Sequence, residues 1–158
     1  FFTDQIQHGN FSLRSDESIS ASVGEDVTLN CSVDSHITPE HIEEVSWRKT
    51  DKDEDILVLL YQNNKSLSDS SDERYRDRAE FFTAEIPKGN FSLRLKSVRT
   101  EDKGVYTCQV FAGGLSAYAT AELVQLENFL YCIVQSVILE TVLYHLINAQ
   151  KDQCEPVS

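Results

Sequence analysis

EDVTLNCSV, residues 25–33, places Val27, Leu29, Cys31 and Val33 on one face and Thr28, Asn30 and Ser32 on the other. Strict alternation of this kind marks a strand with one buried side. VYTCQVF, residues 105–111, repeats the pattern with Tyr106, Cys108 and Val110 on the inner face. Each cysteine therefore sits mid-strand on a buried face, where a bridge between two packed sheets needs it. Two buried free thiols in a reducing compartment are the alternative. Cys132 and Cys154 complete a set of four cysteines, which pair in three ways, and counting does not choose among them.

Outward from these two segments the chain reads as short strands. Val45 and Trp47 alternate in EVSWRK, so the indole of Trp47 points inward, sixteen residues after Cys31. DILVLLYQ (55–62), RAEFFTAEI (78–86), NFSLRLKSV (90–98) and AYATAELVQLE (117–127) are further strands. PKGN (87–90) is a turn, because proline fixes φ while Gly and Asn tolerate the left-handed region. AGGLS (112–116) is the loop before the last strand. Alternating strands with turn chemistry every 8–12 residues predict a β-sandwich.

Asp102-Lys-Gly104-Val-Tyr106-Thr-Cys108 resembles the D-x-G-x-Y-x-C signature of immunoglobulin V-set domains. The resemblance implies an all-β, V-type sandwich of two antiparallel sheets with Greek-key connections, closed by Cys31–Cys108 with Trp47 packed on the bridge. It makes Tyr106 a tyrosine corner and pairs Arg78, opening the fourth strand, with Asp102. The separation of 77 residues from Cys31 to Cys108 leaves room for the two extra strands of the variable type. Residues 18–127 are taken as this domain.

ERYRDRAEFFTAEIPKGNFSLRLKSVRTEDKGVYTC is similar to the second half of V domains in butyrophilins and myelin oligodendrocyte glycoprotein. DESISASVGEDVTLNC is similar to their first strands. The last strand lacks the FGxG joining motif of antibody and T-cell-receptor chains. This resemblance implies a surface protein, outside the plasma membrane, that binds a protein receptor on a T cell and regulates its signalling and cytokine production. A V-set adhesion or innate-receptor domain is the alternative.

Beyond the domain, FFTDQIQHGNFSLR (1–14) and FFTAEIPKGNFSLR (81–94) agree at ten of fourteen positions. Residues 1–17 therefore read as a partial repeat of a preceding V domain, and two orphan strands are expected to pack poorly. At the other end FLYCIVQSVILETVLYHLINA (129–149) is long enough to span a bilayer, but Gln135, Glu140 and His145 interrupt it. Residues 128–158 are a hydrophobic tail with three readings: an appendage to the domain, a poor membrane anchor or a packed helix. The spacing Val142-Leu-Tyr144-His-Leu-Ile147 fits an inhibitory tyrosine motif by accident, since its tyrosine lies in a hydrophobic run.

Composition limits the partners. A net charge of −12, from 26 acidic and 14 basic residues, repels phosphate backbones and argues against nucleic acid. The chain starts at Phe1 without Met or a basic leader, which reads as a fragment or a processed form. Asn10, Asn30, Asn64 and Asn90 open N-x-S/T sequons, the glycan acceptors of the secretory pathway. Val105, Thr107, Gln109 and Phe111 alternate outward beside Ser46 and Arg48. Phe111, Gln109, Gly113, Gly114, Leu115 and Tyr118 form the candidate contact patch, with Tyr61 a further candidate of unknown orientation. DKDED (51–55) imitates a calcium loop but has Ile56 where the turn needs Gly and Gln62 where it needs Glu, so it reads as a hairpin tip. The histidines at 8, 36, 41 and 145 pair with no nucleophile or carboxylate dyad. No catalytic residue, metal or cofactor is expected.

Overall fold

The computed structural model describes residues 7–8, 11–34, 37–51, 53–127 and 129–151, with side chains described over 11–34, 37–51, 53–124 and 133–148. Asn10, His36 and Cys154 lie outside the described residues, as do the side chains of His8 and Cys132. The chain divides into two compact units, Phe1–Leu126 and Glu127–Ser158.

The strands of the first unit are β1 (Gln7–His8), β2 (Leu13–Arg14), β3 (Ser18–Ser22), β4 (Val27–Leu29), β5 (Ser32–Val33) and β6 (Ile42–Asp51). They continue with β7 (Glu54–Gln62), β8 (Lys65–Ser66), β9 (Ala79–Phe81), β10 (Leu93–Leu95), β11 (Gly104–Ala112) and β12 (Leu115–Glu127). Among the described residues one sheet runs β1-β12-β11-β6-β7-β8, with β3 also on β12, and the other runs β4-β10-β9. The expected two-sheet sandwich is present. The chain passes from β4 across to β6 and β7, back to β9 and β10, and across again to β11.

Period-two alternation puts Val45 and Trp47 of β6 and Tyr106, Cys108 and Val110 of β11 on the same inner face, all fully buried. Leu29 and Cys31, Phe91, Leu93 and Leu95 face them from the other sheet. The Cys31–Cys108 disulfide joins the two faces. Trp47 lies directly across β6–β11 from Cys108, and its Nε1 donates to the carbonyl of Phe91 in the opposite sheet at 2.8 Å. Tyr61 faces inward, packing 5.3 Å from Phe91 and 6.1 Å from Phe81 between ring centroids, so it leaves the candidate contact patch.

A second set of contacts closes the lower end. Tyr106 Oη donates to the carbonyl of Asp102 at 2.6 Å, the corner that its position predicts. Asp102 is 1% exposed, pairs with Arg78 and accepts from the Arg99 backbone N–H at 2.7 Å. Burial pushes the Tyr106 phenol well above its ordinary value, and the neighbouring Tyr75 phenol upward as well. Lys49 sends its buried stem past this corner to the Glu101 carbonyl, and loss of solvent pulls its ammonium pKa down. Gly104 stands where that stem crosses: its φ is +146°, and a Cβ there would sit 2.9 Å from Lys49 Cε. The glycine of the signature is thus required by both backbone and neighbour.

The N-terminal segment departs from expectation. Phe11 and Leu13 are 1% and 2% exposed and belong to the core. Strand β2 pairs with β5, Asp34 N–H donates to Ser12 O at 3.0 Å, and Ser15 Oγ donates to Thr120 O at 2.7 Å. Residues 11–14 therefore supply a strand that the domain uses, because their alternation offers a pair of apolar side chains to an open edge. Residues 7–8 pair with Ala117 and Ser116.

Some expected strands are shorter. The run 25–33 is broken at Asn30–Cys31, where pairing passes from β10 on one side to β2 on the other. Of 78–86 only β9 is extended: Pro87, which lacks an N–H, sits in a 3-10 turn over Ile86–Lys88 that ends on Gly89 at φ +78°. In the second unit, α1 (Phe129–Lys151) is a helix whose described apolar side chains, Ile133 to Ile147, are exposed. Among the described residues no helix is long and apolar enough to cross a membrane.

Phe11→Ala should cost about 3–5 kcal/mol in urea unfolding, the range for a fully buried aromatic; an unchanged midpoint would show residues 11–14 to be dispensable. Gly104→Ala should cost about 1–3 kcal/mol in the same assay, as expected for a side chain forced into a glycine-only region. Asp72 gives an acid dependence. Hydrogen bonds from the Arg74 side chain and backbone hold its carboxyl at about 2, below the ordinary 3.8. A depressed carboxyl stabilises the fold above 3.8, and that contribution disappears as pH falls towards 2. Urea midpoints measured across this window should fall, and fall less in Asp72→Asn.

Candidate partner-binding face

The residues that alternate outward on β6, β11 and β12 form one surface, because the inner positions are consumed by the core. Register aligns them in rows across the strands. Leu60, Ser46, Gln109 and Tyr118 make one row, and Gln62, Glu44, Phe111 and Ser116 the next. Leu57, Arg48, Thr107 and Thr120 make a third. Phe111, Gln109 and Tyr118 are half-buried, each flanked by neighbours of its row rather than standing free. Ser46, between Leu60 and Gln109 in its row, is only 1% exposed.

The loop between β11 and β12 is tighter than expected. Ala112 pairs with Leu115, so Gly113 and Gly114 are its only two residues, at φ +58° and +77°. A two-residue turn with both φ values positive matches the twist of a hairpin and demands glycine or asparagine. Gly113 N–H donates to Glu43 Oε1 at 3.2 Å, tying the turn to β6. Nearby, Gln62 Nε2 donates to Glu44 Oε2 at 2.9 Å and holds that carboxylate beside Phe111.

Five of the six patch residues fall together: Phe111, Gln109 and Tyr118 on the face, Gly113 and Gly114 at its rim. Leu115 does not. It pairs with the buried Ala112 and so takes the inward side of the pleat, exposed only because it lies past the end of the core. Leu57 and Leu60 join the face without having been singled out. Between Trp47 and Arg48 the register shifts, so that Val58 and Leu59 are both buried and Leu60 turns outward. ILVLLY carries no alternation from which that bulge follows.

Among the other sequence candidates, Asp53 sits at φ +73° in the tip between β6 and β7, and the acidic run there is a hairpin end. Among the described residues no group of His, Cys, Asp and Glu is placed to hold a metal ion. Asn64 is exposed at φ +60° in the turn between β7 and β8, and Asn30 and Asn90 lie on the opposite sheet.

The immunoglobulin V-set domain family model matches residues 14–124. Human butyrophilin subfamily 1 member A1 is 35% identical over 92 residues, which is 58% of this chain and 17% of that protein. Rat V-set domain-containing T-cell activation inhibitor 1 is 35% identical over 91 residues, 56% of this chain and 30% of that protein. The chain thus spans less than a third of the length of these curated relatives. Among solved structures, the human B7-H4 IgV-like domain superposes with a TM-score of 0.64 at 27% identity, covering 74% of this chain and 98% of that one.

Proposed function

The chain belongs to the immunoglobulin V-set family, and from that premise we propose that it is the receptor-facing domain of a butyrophilin-type surface protein. It binds a protein receptor on T cells from the external side of the plasma membrane and regulates their signalling and cytokine production. The likeness to butyrophilin and to a T-cell activation inhibitor supports the class of partner.

The observation that carries the reading is the face of β6, β11 and β12. Phe111 and Tyr118 offer aromatic area around the amide of Gln109, beside a glycine turn that rises without side chains. Aromatic anchors of this kind lose little entropy on docking, because their neighbours already fix them. Arg48 and Glu44, on either side of the buried Ser46, provide opposite charges on the face. A protein surface meets these requirements. Nucleic acid does not, against a net charge of −12.

Binding of the purified domain, as a tetramer, to resting and activated T cells tests the proposal. Phe111→Ala and the pair Gln109→Ala/Tyr118→Ala should each reduce staining at least tenfold while leaving thermal unfolding unchanged. Variants that stain like the parent would defeat the assignment of the face. Coated beads that cluster with one another while T cells remain unstained would identify an adhesion domain instead.

A further inference from the structure

Two of the sequons share a single groove. Ser32 bridges Asn90 and Leu29 pairs with Leu93, so Asn30 lies opposite Ser92 and the segments Asn30-Cys31-Ser32 and Asn90-Phe91-Ser92 run past each other. Cys31 and Phe91 point into the core, which turns both asparagines and both serines outward. Asn30 and Asn90 are then diagonal neighbours, a relation that sets Cα atoms about 7–8 Å apart. Ser92 Oγ donates to Asn90 Oδ1 at 2.6 Å and lies 3.5 Å from Asn30 Oδ1. Arg14 and Asp16 wall the same groove, whose volume is about 220 Å³, and Asp16 accepts from Asn30 Nδ2.

The two asparagines differ in exposure. Asn30 is exposed, and after substitution its nitrogen keeps one hydrogen for Asp16. Asn90 is half-buried, and its Oδ1 already accepts from the Ser92 N–H at 3.1 Å as well as the Ser92 hydroxyl. Ser92 Oγ in turn accepts from Cys31 N–H at 3.2 Å, so the Asn90 amide is part of the bonding that joins the two strands next to the disulfide.

We propose that this groove accommodates one N-linked glycan, carried by Asn30, and that occupancy of Asn30 and Asn90 is mutually exclusive in the folded protein. In the transfer, the bond from sugar C1 to the pyrophosphate oxygen of a polyisoprenyl-linked oligosaccharide breaks and a C1–Nδ2 bond forms. The amide gives up one proton and the lipid pyrophosphate leaves. Two first sugars, each with acetamido and hydroxymethyl arms, compete for the gap between diagonal neighbours. A doubly modified chain has to open the β4–β10 pairing or fail to fold. The inference is independent of the receptor reading.

The test is intact-mass spectrometry with peptide mapping on the full chain secreted from mammalian cells, carrying Asn10→Gln and Asn64→Gln to leave this pair alone. The expected product bears one glycan, at Asn30. Asn30→Gln, and separately Ser32→Ala, should move that single glycan to Asn90. Asn30→Gln/Asn90→Gln should bear none. A main species with two glycans, a parent chain modified only at Asn90 or at neither site, or an Asn90 left bare when the Asn30 sequon is removed would each overturn the proposal. Receptor binding plays no part in the readout, so the two proposals fail separately.

Discussion

Trp47 touches both halves of the sandwich at the point where they are fastened. It lies across from Cys108 within its own sheet and donates to Phe91 O in the other, next to the strand that carries Cys31. The covalent link limits the unfolded chain: closing a loop of 77 residues is worth roughly 4.5 kcal/mol on the chain-entropy account. The indole helps determine how the sheets meet once linked, because a buried N–H without an acceptor costs about 1–3 kcal/mol and the Phe91 carbonyl supplies that acceptor. Every inner position of β6 and β11 is fixed in turn by the phase of Trp47 and Cys108, and with it every outer position. The candidate face is therefore a consequence of the core. Phe111, Gln109 and Arg48 point outward because Val110, Cys108 and Trp47 point inward.

The same logic explains how much of the molecule is legible in its residues. Where alternation is clean, as in EDVTLNCSV and VYTCQVF, buried and outer faces follow directly, and the face built on β11 follows with them. Where alternation is absent, nothing in the residues sets the phase. ILVLLY hides the bulge at Val58–Leu59, and so the outward turn of Leu57 and Leu60 and the inward turn of Tyr61 depend on tertiary pairing. Leu115 misleads for a related reason. Its neighbours in sequence belong to the patch, but a two-residue turn reverses the chain and pairs it with a buried alanine. Turn length, and not composition, decides that outcome.

The tetrapeptide FSLR makes the point most directly, since it occurs twice. At 91–94 it lies against Asn30, Cys31 and Leu29 on one side of the segment that carries Cys31, and at 11–14 it pairs with Ser32 and Val33 on the other side. In both places the Phe and Leu are buried and the Arg faces out. Arg94 there meets Asp26 and Glu80, while Arg14 walls the groove over Asn30. One pattern of apolar alternation therefore satisfies two different edges in two registers, because β pairing reads the pleat and the main chain before it reads side-chain identity. Such a segment needs no ancestry as a domain edge to serve as one. It needs only an unpaired strand within reach and a core with space for two apolar side chains, and the strand that carries Cys31 provides both.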